Sequence, residues 1–313
     1  MRALTVTVLG LGVRSLAFAT DANVVVHLYS APDATGAVQM CKVNEEIWFP
    51  QPNADSLARV NGDGSLTRRN VPDAGSRPLA ISRADGNGRL VFTEVGANRI
   101  GIFDANGALT EYDIPTSASN PRGVTSPNLI WFTEYDGNRI GRFQAGSPGS
   151  MVEFAIPTFA SGPLGIAPAL GGTEMWFTEN LANKIGRIDA AGAITEFDIP
   201  TPNAGAGNIT AGADGNLWFT ETNAGKIGRS TIAGAITEFT LPSPTAGPGS
   251  LTVGPDGNVW FTESSARIGR IDPSGTITEF SVPADPYAIA RGPDGNLWFT
   301  EQQASKIGRF LPP

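Results

Sequence analysis

The sequence predicts an all-β fold, a seven-bladed β-propeller of four-stranded blades, on three observations. One motif recurs seven times, its period is that of a single blade, and all six tryptophans occupy the same place in it. The copies read EIWFP from Glu46, LVFTE from Leu90, LIWFTE from Leu129, EMWFTE from Glu174, LWFTE from Leu217, VWFTE from Val259 and LWFTE from Leu297. Measured between their phenylalanines (Phe49, Phe92, Phe132, Phe177, Phe219, Phe261, Phe299), the steps are 43, 40, 45, 42, 42 and 38 residues. The tryptophans are Trp48, Trp131, Trp176, Trp218, Trp260 and Trp298, with Val91 in the remaining copy. A bulky residue repeated at one register position is what the packing between blades demands, so these are expected to be inter-blade core.

Each element of a repeat follows from local chemistry. The sixth reads GSLTVG, a PDGN turn, VWFTE, a loop, RIGRID, a PSG turn and TITEFSVP. The strand segments alternate and favour β-branched or aromatic residues, while the turns carry the Gly, Asn and Asp that tight hairpins require. The glycine of IGR (Gly141, Gly186, Gly228, Gly269, Gly308) lies inside a strand, which implies close approach of an aromatic ring or backbone from the neighbouring blade. The last repeat stops one strand short at KIGRFLPP, whereas Asn23 to Pro32 resembles a fourth strand with no blade before it. The N-terminal strand is therefore expected to complete the last blade and close the ring, with the sole histidine, His27, on the outer edge of that blade.

Composition narrows the rest. With 38 glycines and 24 prolines spread evenly and no compositional break, residues 23–313 form one propeller domain. Residues 1–22 read as a signal peptide or disordered N-terminus: Arg2, an apolar run, and Ala17-Phe18-Ala19 as a small-x-small site. That pattern favours export over a cytoplasmic location. A net charge of −8 argues against nucleic acid as a partner, and no later segment has the ~20 apolar residues of a membrane span. The single Cys41, in the apolar run AVQMCKV, reads as a core thiol. A monomer is expected.

The first strand of each blade starts, and the second ends, on the same face. The WFTE glutamates (Glu94, Glu134, Glu179, Glu221, Glu263, Glu301) therefore share a mouth with the loop before strand one. A ring of carboxylates there invites a cation or an acid role, but basic residues in the next strand, such as Lys226 and Arg229 after Glu221, favour ion pairing within each blade. The variable position at the start of strand one carries more functional information, because the scaffold already accounts for the constant ones. It reads Leu79, Arg122, Leu164, Gly207, Gly249 and Tyr287, with Ala37 or Val38 in the first blade. Such an apolar mouth with one cation and one phenol suits an amphipathic small molecule or peptide; a plain rim filled by side chains fits the letters equally. Leu79, Arg122, Leu164 and Tyr287 are the expected ligand-binding residues. No Ser-His-Asp set, Cys-His set or histidine metal cluster can be assembled from one histidine. The acid–base candidates are Tyr287, Asp285 and Glu301, and Tyr287 would need a lowered pKa to serve as a base at neutral pH.

The stretch ITAGADGNLWFTETNAGKIGRSTIAGAITEFTLPSP resembles the repeat of the virginiamycin B (streptogramin) lyase family, and the likeness runs from about Asn23 to Phe310. It implies a seven-bladed propeller and an elimination that linearises type B streptogramins, assisted by Mg²⁺ and a histidine general base. In that family the histidines follow the proline before strand one in the last two blades. Here those places read Pro248-Gly249 and Pro286-Tyr287, and no register recovers a histidine. The family's acidic positions are matched by Asp285 and by Glu301 or Gln302. The expectation is a lyase-like propeller without the catalytic histidines that binds a ligand at its mouth, with no cofactor evident and Mg²⁺ only if lyase chemistry is retained. The alternatives are an active lyase opening cyclic depsipeptides or lactones through Tyr287, Asp285 and Glu301, and a structural protein-interaction propeller.

Overall fold

The computed structural model describes residues 15–19, 25–31, 39–61, 65–84, 88–147, 149–301 and 305–313. Their strands form seven antiparallel sheets, the blades of a propeller. Blade one runs from Cys41–Val43 to Leu66–Asn70, blade two from Pro78–Arg83 to Leu109–Asp113, and blade three from Pro121–Thr125 to Val152–Ala155. Blade four runs from Pro163–Pro168 to Ile194–Asp198, blade five from Ala206–Ala211 to Ile236–Thr240, and blade six from Pro248–Val253 to Ile277–Ser281. Blade seven takes Pro286–Arg291, Leu297–Glu301 and Lys306–Leu311 from the C-terminus and Val25–Ser30 from the N-terminus, with Leu28 opposite Gly308. The ring thus closes by the N-terminal strand.

One detail departs from expectation. Val25–Ser30 is not the outer edge, because Ser15–Ala19 pairs outside it and places Ala17 opposite His27. The segment with the small-x-small pattern also alternates as a strand does, and an unpaired edge is a template for such a segment. His27 is half-buried, and its pKa is lowered by that burial and by the Arg309 charge across the ladder. Cys41 is partly buried beside Trp48 and Val43, and burial pushes its thiol up.

The core consists of seven apolar clusters, and each one bridges two neighbouring blades. Between blades five and six, Trp218, Ile227 and Leu241 meet Leu251, Val259 and Phe261. The tryptophan therefore faces the next blade, as its repetition implied, while Leu and Phe of the same motif face the previous one. The outward side of each tryptophan is covered by its own blade. Trp218 stacks on the fourth-strand Phe239 at 5.6 Å, and Arg229 of IGR lies over both rings at 5.4 and 5.3 Å.

The IGR glycine has a different cause from the one expected. The ring that excludes a side chain belongs to the same blade: Gly141 pairs across the ladder with Phe132, and a Cβ there would lie 2.0 Å from its Cζ. Gly228 is covered the same way by Phe219, at 2.1 Å. The phenylalanine folds flat over the neighbouring strand, a consequence of cross-strand pairing and not of blade packing.

Candidate functional site at the propeller mouth

The first strand of blades two to seven carries a β-bulge at the variable position. In blade three Pro121 pairs with Glu134 and Val124 with Phe132, so Arg122 and Gly123 together face Thr133. The same irregularity follows Pro78, Pro163, Ala206, Pro248 and Pro286. A bulge re-aims a side chain, and here it turns each variable residue inward. Leu79, Arg122, Leu164, Gly207, Gly249 and Tyr287 line one cavity of about 350 Å³. Gln39, Asn208, Thr222 and Ser250 add polar groups to its wall. Ala37 and Val38 lie outside the described residues.

The WFTE threonine holds the bulge, a role the sequence reading missed. Its hydroxyl accepts from the amide after the variable residue of its own blade: Gly123 N donates to Thr133 Oγ1 at 2.8 Å, and Ser250 N to Thr262 Oγ1 at 2.9 Å. It then donates to the carbonyl of the variable residue in the next blade. Thr93 reaches Arg122 O at 3.2 Å, Thr133 reaches Leu164 O at 2.9 Å, Thr178 reaches Gly207 O at 2.7 Å, and Thr262 reaches Tyr287 O at 2.8 Å. The constant motif thus positions the variable wall. The available signal was a hydroxyl repeated in a buried strand, which needs two buried partners.

The glutamates do not form ion pairs within their blades. Glu94, Glu134, Glu179, Glu221 and Glu263 are fully buried, and neither carboxyl oxygen of any of them has a partner at hydrogen-bonding geometry. The bases predicted to neutralise them turn elsewhere. Lys226 Nζ bonds Glu238 of the fourth strand at 2.9 Å, and Arg229 caps the Trp218 stack and donates to Pro273 O. Glu238 is further held by the amide and hydroxyl of Thr201 at 2.8 Å each, so its pKa is lowered. Glu221 faces this fixed carboxylate across the bare Cα of Gly228 and is pushed up to about 8 by burial and by the Glu238 charge. Glu94, Glu134, Glu179 and Glu263 are raised to about 8 for the same reasons, with Glu111, Glu153, Glu196 and Glu279 as the facing acids. The repeated acid is thus a buried carboxyl in the seam, where its surroundings favour the protonated form.

Of the three acid–base candidates, only Tyr287 reaches the cavity. Burial raises its pKa above the ordinary phenol value, with the Arg122 charge acting in the opposite sense as the lesser effect. Glu301 is buried in blade seven opposite Pro286, and burial raises it too. Asp285 sits on the exposed rim, where its Oδ1 accepts the amide of Ala266 at 2.7 Å. That bond has a structural explanation. In blades two, three and four an asparagine at this loop position, Asn98, Asn138 or Asn183, ties the following loop through Ser119, Ser161 or Ala204. Ala266 cannot do so, and Asp285 makes the tie from the other side. Gln302 lies outside the described residues.

A family model described as the virginiamycin B lyase family matches residues 17–129 and 126–312. The chain belongs to that family. Among solved structures it is similar to a streptogramin B lyase, at 34% identity over 92% of this chain and 97% of the other, with a TM-score of 0.86. It is likewise similar to the virginiamycin B lyase of Staphylococcus aureus, at 36% identity over 93% of this chain and all of the other, again at 0.86. A catalytically inactive histidine-to-alanine variant of that enzyme with quinupristin matches equally well. No curated protein sequence matches the chain.

For the Mg²⁺ that the family resemblance implies, the described side chains offer no fitting set of ligands. Mg²⁺ needs accessible oxygen ligands in near-octahedral array. Here Asp285 is committed to Ala266, Glu301 is enclosed in the blade like its five counterparts, and the charged group on the cavity wall is the cation Arg122. Among the described residues no cluster of three His, Cys, Asp or Glu side chains could hold a metal. Among them, too, no helix is long and apolar enough to cross a membrane.

Proposed function

We propose that this member of the virginiamycin B lyase family binds a small molecule or peptide bearing apolar and aromatic groups in its central cavity, without efficient lyase turnover. The observation that carries the reading is Tyr287. It stands on the cavity wall where the resemblance calls for a histidine, and its phenol is held above its ordinary pKa. A general base removes a proton at the working pH, and loss of one lowers rates by about 10²- to 10⁴-fold. A phenol shifted upward stays protonated at neutral pH and offers a hydrogen bond instead. The mixture of Leu79, Leu164 and Ile166 with a few polar groups is that of a binding pocket.

The test is a thermal-shift and calorimetric titration with quinupristin and with linear peptides rich in aromatic residues, alongside a Leu164→Trp variant that fills the cavity. Saturable binding that this variant abolishes, with the ligand recovered intact, is the expected result. Turnover of the ligand would favour the lyase alternative. Neither binding nor turnover would leave the protein-interaction reading.

A further inference from the structure

We infer that the ligand of this mouth carries a carboxylate, which Arg122 receives at the junction between the central cavity and a second recess. The inference rests on the binding reading above and names the ligand's chemistry. A recess of about 420 Å³ opens beside the central cavity, and the two share Leu79 and Arg122 as a common wall. The recess is more polar than the cavity: Arg77, Asn98, Asn120 and Asp136 line it beside Pro52 and Val95. A ligand spanning both would place its apolar part among Leu79, Leu164 and Tyr287 and its polar part toward Arg77.

Arg122 is built to meet a charge there. Other half-buried cations of the propeller are matched within the protein: Arg99 with Asp73 and Asp113, Lys226 with Glu238, Arg267 with Glu279, Arg309 with Asp294. Arg122 has no such carboxylate within ion-pairing distance among the described residues, and its Nε, like that of Arg59, Arg139 and Arg309, is buried with no hydrogen-bond partner. What holds it is steric and directional. Its backbone sits in the bulge pinned by Thr93 and Thr133, and its guanidinium lies over the Tyr135 ring at 5.4 Å. Asp136, which lines the same recess, accepts Asn120 Nδ2 at 2.9 Å on Oδ2 and makes no ion pair with Arg122. A buried donor left unpaired is costly, so an arginine fixed in this way is completed by an anion from outside. Arginine's planar fork matches a carboxylate with two parallel hydrogen bonds, and the Tyr287 hydroxyl on the same cavity wall supplies a further donor.

Matched pairs of aromatic carboxylic acids and their neutral primary amides, such as 1-naphthylacetic acid and 1-naphthylacetamide, test this by calorimetry at pH 7. The acids should bind at least ~10-fold more tightly than the amides, as a charge-assisted hydrogen bond provides. Arg122→Gln should erase that difference by weakening the acids at least ~10-fold more than the amides, and Arg122→Lys should restore it only in part. Acids and amides binding alike, or a preference that survives Arg122→Gln, overturns the carboxylate inference but leaves the cavity as a binding site. Binding of neither class, with no effect of Leu164→Trp, overturns both.

Discussion

Blades five and seven meet the same packing problem with different parts. In blade five the seam acid Glu221 faces Glu238, which is fixed by Lys226 and Thr201, and Trp218 is stacked under Phe239 and nearly inaccessible. In blade seven the fourth strand comes from the N-terminus. Leu28 occupies the place of Glu238, so Glu301 has no facing acid, and Tyr29 replaces the phenylalanine on a partly exposed Trp298 at 5.5 Å. At the mouth the contrast recurs, with Gly207 in blade five and Tyr287 in blade seven. Departures from the repeat are tolerated where the ring closes, and Tyr287 at the mouth is among them. Scaffold is read from what the blades share, and chemistry from where one blade differs.

The largest effect on that comparison should come from removing residues 1–31. It takes the fourth strand from blade seven and exposes the edge of Lys306–Leu311 and one side of two seams. Loss of cooperative unfolding, followed by circular dichroism, is expected, with a concentration-dependent rise in light scattering from the open edge. A monomeric, cooperatively melting truncation would show that closure by the N-terminal strand is dispensable.

Next in size are the tryptophans. Trp218→Ala should cost about 3–5 kcal/mol in urea unfolding, the usual range for a large buried ring. Trp298→Ala should cost clearly less, since its ring is partly exposed already. Equal losses would mean that blade seven is packed as tightly as blade five.

The seam acids give a pH signature. A carboxyl raised to about 8 in the folded protein, against ~4.3 when unfolded, binds its proton more tightly in the fold. Its contribution is fully present below pH ~4.3 and is lost as pH rises through 8. Glu221→Gln keeps the neutral shape, so the melting temperature should rise on the order of 2–4 °C at pH 9 and change little at pH 5. Glu301→Gln should show a smaller rise, because no facing carboxylate adds to its shift. A fall in stability at pH 9 for Glu221→Gln would mean that the acid is charged and paired.

The fold was legible because repetition makes the same statement seven times: the blade period, the tryptophan seam and ring closure all follow from aligned letters. The glutamates and the IGR glycine were legible as constant, but their partners were not. Which side chain covers Gly228, and whether Lys226 turns to Glu221 or to Glu238, depends on cross-strand register and side-chain direction, which spacing alone does not specify. The six variable residues of blades two to seven were found by position, yet the bulge that aims them and the threonine that fixes it are backbone events with no letter of their own. Asp285 shows a further limit: its letters place an acid beside Tyr287 but do not show that its Oδ1 ties a loop that lacks its asparagine.

The smallest structural change bears on the central claim. Tyr287→Phe removes one hydroxyl from a partly exposed side chain and should leave the melting temperature within about 1 °C. Incubation of the wild-type protein and this variant with a type B streptogramin, with and without Mg²⁺, followed by mass spectrometry of the cyclic and linear forms, tests that claim most directly. Both proteins should leave the antibiotic cyclic, with linearisation no faster than in buffer alone. Linearisation by the wild type that Tyr287→Phe abolishes would contradict it and make Tyr287 the catalytic residue of an active lyase.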